Sequence, residues 1–207
     1  MNNVDDVTAF VLAGGKSTRM GRDKAFLEFK GRILLAGALE LAAGAAEDVR
    51  IVGDPSKFAA FGRVIEDIYR ERGPLGGIHA ALKSSSTELN LMLAVDLPFV
   101  ERNFLKYLVS VARDAKAVVI VPRASDGLQP LCAVYRREFA KVAEQSLAQE
   151  KNKIDALFAA VETRILGQEE LSGAGFSGRM FNNLNTPEQF EKAAKMTSED
   201  SRAWTES

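Results

Sequence analysis

Short apolar runs rich in β-branched residues recur along the chain at 7–12, 49–52, 64–65, 89–95 and 117–121. Between them, stretches at 33–43, 77–83 and 104–113 repeat their apolar positions at helical spacing. A strand buried on both faces reads as a continuous apolar run, and strands alternating with amphipathic helices are joined by right-handed βαβ crossovers. The pattern therefore predicts an α/β chain, a Rossmann-like three-layer sandwich whose mainly parallel sheet is covered by helices on both faces. Ligands of such sheets bind beyond the carboxyl ends of the strands, so chemistry is expected in the residues that follow each run.

Later segments extend this frame. Strand candidates at 129–135 and 161–166 flank a helix at 138–149 and a short helix at 154–160, and together they would form a small mixed extension of the sheet. Residues 171–178 are glycine-rich and aperiodic and are expected to form a loop. Thr186, Pro187 and Gln189 have the spacing of a capping box, with Thr186 as N-cap and Pro187 at the first helical position, which predicts a helix reaching Lys195. The organisation is one domain over 1–196 and a polar tail at 197–207 that is expected to be disordered.

Composition narrows the partners. Lys and Arg number 27 against 28 Asp and Glu, so there is no general field to attract nucleic acid, and phosphate recognition must be local. No apolar stretch approaches the roughly 20 residues that cross a bilayer, and residues 1–6 lack the basic region of a secretory signal. A cytoplasmic protein without membrane partners is expected. Cys132 is the only cysteine, which excludes an intramolecular disulfide and, within the apolar run at 130–135, reads as a small buried hydrophobe. His79, the only histidine, follows Gly76 and Gly77 in a helical stretch and reads as a packing or surface residue rather than a metal ligand or base.

The segment after the first run, Leu12-Ala13-Gly14-Gly15-Lys16-Ser17-Thr18-Arg19-Met20-Gly21-Arg22-Asp23-Lys24, has the make-up of a phosphate loop on a strand end. Glycines let backbone N–H groups approach an anion, and Arg19 and Lys24 supply mobile positive charge for a polyphosphate. Spacing excludes the P-loop NTPase motif, which requires a glycine where Phe10 stands, and the G-x-G-x-x-G dinucleotide fingerprint, because Gly14 and Gly15 are adjacent and the next glycine is Gly21.

Four further features fall at strand ends or in turns. Asp96 closes the run at 89–95, where a hard carboxylate oxygen suits Mg²⁺ shared with substrate phosphates; capping the next helix is the alternative. Asp67 follows Val64 and Ile65 and can accept from the paired ring N–H and exocyclic amine of guanine, or simply serve in a turn. Gly73-Pro74-Leu75-Gly76-Gly77 opens a helix whose positive end can face an anion. Asn183 and Asn185 stand two apart and share a face if extended, though Asn is also common in turns.

Taken together, L-A-G-G-x-S-x-R-M-G-x-D-K-A at 12–25 and the segments around 67, 73–77, 96 and 181–187 resemble the molybdenum cofactor guanylyltransferases. Sugar-nucleotide pyrophosphorylases and many cytidylyltransferases close the first motif with Pro-Lys, whereas Asp23-Lys24-Ala25 is similar to the guanylyltransferases. The resemblance implies the nucleotide-diphosphosugar transferase fold and Mg²⁺-dependent transfer of GMP from GTP to molybdenum-molybdopterin, with release of pyrophosphate. It implies that Leu12, Ala13, Gly14, Gly15, Lys24 and Asp67 hold the nucleotide and that Asp96 binds both Mg²⁺ and nucleotide. It implies catalytic roles for Arg19, Lys24 and Asp96, and second-substrate roles for Gly73, Gly77, Gln129, Asn183 and Asn185. Transient contacts with molybdenum-insertion proteins or apo-molybdoenzymes are a further implication. The rival readings are a cytidylyltransferase or other nucleotidyltransferase acting on a pterin, sugar or alcohol phosphate, and a non-catalytic GTP-binding carrier module.

Overall fold

The computed structural model describes residues 6–14, 23–69 and 71–182. Arg19, Gly15, Asn183, Asn185, the capping box at Thr186 and the tail at 197–207 lie outside the described residues. Strand β1 (Val7–Leu12) is followed by a two-stranded hairpin, β2 (Glu28–Phe29) and β3 (Arg32–Ile33), and by α1 (Leu34–Ala43). Then come β4 (Asp48–Val52), the short α2 (Pro55–Phe58), β5 (Val64–Ile65), α3 (Pro74–Ser84) and β6 (Leu89–Ala94). The second half contains α4 (Arg102–Asp114), β7 (Val119–Ala124), β8 (Gly127–Leu128), β9 (Cys132–Arg136), α5 (Phe139–Ala148), β10 (Thr163–Leu166) and α6 (Gln168–Gly173).

The main sheet runs β10-β7-β9-β6-β1-β4-β5, with β8 paired to β7. Pairings β6–β1, β1–β4, β4–β5 and β7–β10 are parallel, while β9 runs antiparallel to both β6 and β7. From β1 the chain builds outward through β4 and β5, then crosses back to lay β6 on the other side of β1. This reversal opens a crevice beyond the carboxyl ends of β1 and β6, the position where open α/β sheets bind ligands.

Two-residue alternation divides β1 and β6 between two cores. Val7, Ala9, Val11, Leu89, Leu91 and Leu93 face the layer containing α1 and α4, where Leu35, Phe104, Leu105 and Leu108 are fully buried. Phe10 and Met92 face the opposite layer, against Leu75, Ile78 and Leu82 of α3 and Phe139 of α5. Helix α4 shows why the amphipathic pattern was legible: Phe104, Leu105, Leu108, Val109 and Ala112 form its buried stripe. Truncating a fully buried ring such as Phe10 to Ala would cost about 3–5 kcal/mol.

The structure departs from the sequence pattern in three places. The strand expected at 117–121 runs Val119–Ala124, and the strand expected from 129 begins at Cys132, because residues 127–128 fold back onto β7 as β8. Residues 171–173, expected in a loop, end helix α6. Leu171 is completely buried in the core and anchors that helix despite its glycine-rich surroundings, and Glu169 and Glu170 in the first turn suit the positive helix end. Among the described residues no helix is long and apolar enough to cross a membrane.

Candidate active site

The carboxyl ends of the parallel strands are laced into one rim. Val95 N–H donates to Leu12 O at 3.2 Å, Ala13 and Gly14 N–H donate to Val52 O at 2.9 and 3.1 Å, and Gly53 N–H donates to Ile65 O at 3.0 Å. At Gly53 a side chain is excluded: a Cβ there would lie 2.7 Å from the ring of buried Phe58. The strand ends, and the residues leaving them, are thereby fixed relative to one another.

Lys24 and Asp96 meet at the reversal point. Lys24 Nζ donates to Asp96 Oδ2 at 3.3 Å, with the two side chains 21% and 23% exposed. They are 72 residues apart in sequence and come together because β6, which leads into Asp96, lies directly beside β1. Lys24 begins a 3-10 turn, Lys24–Phe26, whose N-cap Asp23 accepts from Ala25 N–H. Asp96 does not cap the next helix, since α4 has Glu101 at its N-cap. The alternative role weighed for Asp96 is thus absent.

Asp67 stands just beyond the end of β5 on the same edge. Tyr69 N–H donates to its Oδ1 at 2.8 Å. Its carboxylate rests on the first turn of α3 at Gly76, where a Cβ would lie 2.6 and 2.8 Å from the two carboxylate oxygens and 2.9 Å from Tyr69 O. Burial raises the Asp67 carboxyl above the ordinary aspartate value, with the Tyr69 N–H acting in the opposite sense. Sequence reasoning missed Gly76. The doubled glycine was the available signal, but the group that approaches it is a side chain of this chain rather than a ligand.

The remaining predicted residues divide by location. Gly73 precedes α3 with φ of +65°, a left-handed conformation that favours glycine, and Pro74 occupies the first turn as expected. Gly77 turns toward the sheet, where a Cβ would meet Val52 Cγ1 at 3.3 Å, and so sets how closely α3 packs on β4. Gln129 lies on the far side of β6 at the same rim, because Ala94 N–H donates to Leu131 O at 2.8 Å. Its amide nitrogen donates to Asp126 Oδ1 at 2.9 Å and Gly127 O at 3.3 Å. His79 is buried in α3, edge-on to the Tyr69 ring at 5.2 Å, and Cys132 is a buried thiol that burial pushes up to about 12, so both serve packing.

A mainly parallel sheet with a lysine and an aspartate meeting beyond its reversal point defines an open α/β protein whose ligand site lies at that reversal. The chain is similar to the molybdenum cofactor guanylyltransferase of Desulfosudis oleivorans, 33% identical over 193 residues that cover 92% of this chain and 95% of that one. It is also similar to the protein of the same name from Syntrophotalea carbinolica, 31% identical over 187 residues covering 89% of each. Among solved structures, molybdopterin-guanine dinucleotide biosynthesis protein A from Archaeoglobus fulgidus superposes with a TM-score of 0.79 at 25% identity, covering 91% of this chain and 97% of that one. The model of the MobA-like NTP transferase domain matches residues 9–164, and the chain belongs to that family, which makes it a nucleotidyltransferase.

Proposed function

We propose that this chain is a molybdenum cofactor guanylyltransferase: it transfers GMP from GTP to molybdenum-molybdopterin, releasing pyrophosphate and forming the guanine dinucleotide cofactor. The family and its named relatives support this reading, and the meeting of Lys24 with Asp96 at the sheet reversal carries it. The nucleophile is the terminal phosphate oxygen of molybdopterin, attacking the α-phosphorus of GTP in line with the departing pyrophosphate. A phosphate monoester is already anionic near neutral pH, so the protein has mainly to position reactants and neutralise charge.

Each residue then has a task. The segment Leu12, Ala13, Gly14 and Gly15 is assigned to the nucleotide, with the Ala13 and Gly14 N–H groups held by Val52 O and so fixing its course rather than donating to phosphate, and Lys24 neutralises charge on the transferring and leaving groups. Arg19 contributes a second cation from the adjoining segment. Asp67 in its ionised form accepts from the guanine ring N–H and amine. The second-substrate roles fall to Gly73, Gly77, Gln129, Asn183 and Asn185.

The donor set at the crevice fits Mg²⁺, which takes one or two carboxylates and completes its shell with water and substrate phosphates. Asp96 offers one partly exposed carboxylate, and among the described residues no group of three or more His, Cys, Asp or Glu forms an all-protein cage. When bound at Asp96, Mg²⁺ would supply charge neutralisation to the nucleotide oxygens. Such an enzyme would work in the cytoplasm on soluble substrates, in transient contact with molybdenum-insertion proteins or apo-molybdoenzymes. The test is pyrophosphate release from GTP, CTP, ATP and UTP, with and without molybdopterin and Mg²⁺. Molybdopterin-dependent release confined to GTP is expected. Preference for CTP would transfer the assignment to a cytidylyltransferase, and GTP binding without product would make the chain a carrier.

A further inference from the structure

The segment after β4 grips the turn that presents Lys24. Asp54 caps α2, accepting from Ser56 N–H at 2.9 Å and from Ser56 Oγ at 2.7 Å, and Pro55 fills the first helical position. Phe58 is buried against Gly53, so α2 is seated firmly on the rim. Two kinds of contact extend from this base to the turn Lys24–Phe26. Lys57 Nζ donates to Asp23 Oδ2 at 2.9 Å, while the other oxygen of that carboxylate accepts from Ala25 N–H at 3.2 Å. The Phe26 ring lies 5.6 Å from Phe58 and 6.0 Å from Phe61, centroid to centroid. One carboxylate thus both shapes the turn and ties it to α2.

We propose that Lys57, through its ion pair with Asp23, is a positioning residue for Lys24. It holds the turn so that the Lys24 ammonium stays over the crevice beside Asp96. Lys57 also neutralises Asp23, a carboxylate adjacent in sequence to the cation that must meet a triphosphate, and an uncompensated negative charge there would oppose binding. The inference rests on the reading of Lys24 as a triphosphate ligand and adds a residue outside every motif in the sequence. No local pattern pairs position 57 with position 23; they meet because the segments that follow the paired strands β1 and β4 fold onto each other.

The experiment compares Lys57→Met, Asp23→Asn and the double variant, with Lys57→Arg as the conservative replacement. Asn at position 23 keeps an oxygen that can cap the turn but removes the charge that Lys57 holds. Folding is expected to be intact in all four, because an ion pair whose lysine is half exposed adds little to stability. Each single variant should lower kcat/KM for GTP about 5- to 20-fold, the double variant should be no worse than either, and Lys57→Arg should retain most activity. Lys57→Met introduced into Lys24→Met should cause no further loss. Additive losses in that last pair would mean that Lys57 acts on the nucleotide directly, and an unchanged kcat/KM in Lys57→Met would mean that the ion pair positions nothing; either overturns the proposal. A wild-type chain that yields no pyrophosphate from GTP would instead overturn the nucleotidyl-transfer reading on which the inference stands.

Discussion

Replacing Asp96 with Asn separates two roles that a turnover assay on the wild type merges. This carboxylate engages Lys24 at 3.3 Å, and both side chains are about one-fifth exposed. Coulomb's law for unit charges at that distance gives about 1.3 kcal/mol at the dielectric of water and about 5 kcal/mol at an effective dielectric of 20. Desolvation and lost side-chain freedom offset most of it, leaving about 1 kcal/mol for a partly exposed pair. Asn removes that competition for Lys24 and also removes a negative charge from the phosphate crevice. Metal-free GTP should therefore bind the variant about 5- to 30-fold more tightly, equivalent to about 1–2 kcal/mol. Turnover with Mg²⁺ should move the other way, falling by about 100-fold or more, the scale on which loss of one charge-stabilising group acts. Titration calorimetry with GTP in EDTA measures the first effect, and pyrophosphate release in Mg²⁺ measures the second. Unchanged or weaker GTP binding in EDTA would refute the competition for Lys24, and turnover within about threefold of wild type would remove Asp96 from catalysis.

Three further outcomes follow from burial. Because burial raises the Asp67 carboxyl, its ionised form is lost at higher pH than an ordinary aspartate's; KM for GTP should rise on mild acidification while KM for ITP, which lacks the exocyclic amine, changes less, and Asp67→Asn should flatten that difference. Burial lowers His79 below the usual histidine value of about 6.5, so the unfolded chain takes up a proton that the folded chain refuses; stability is complete above that pH, declines as pH falls toward the depressed folded value, and His79→Leu should remove this part of the decline in urea unfolding at pH 7.5 and 5.5. The buried Cys132 thiol, pushed up to about 12, should resist Ellman's reagent in the native protein and react stoichiometrically once the protein is unfolded in guanidinium.

The parts legible in the sequence were those whose cause is local. Strands β1 and β6 are buried on both faces and therefore appear as unbroken apolar runs, and α1 and α4 carry their buried stripes at helical spacing. Lys24 and Asp96 could be named because each follows such a strand, and strand order then determines that they meet. What escaped depends on partners distant in sequence. The extension was expected to be mixed, but which of its strands reverses is set by the neighbours of β9 on both sides rather than by its own residues; α6 is held by the burial of Leu171, and Gly76 is required because Asp67 rests on it. Lys57 is the extreme case: an unremarkable surface lysine by pattern, whose partner lies 34 residues earlier.

The antiparallel β9 has an evolutionary consequence. By separating β6 from β7 it divides the sheet into two modules, one built on β6, β1, β4 and β5 and the other on β7 and β10. On the proposed assignment the first module carries Lys24, Asp67, Asp96 and the helix entry at 73–77, while Gln129 hangs from the second, where its N–H donates to Pro122 O of β7. Loops that leave β7 and β9 can then be exchanged for others without altering the parallel register of β6, β1, β4 and β5, so a single ancestral frame could vary one wall of its site while conserving the other.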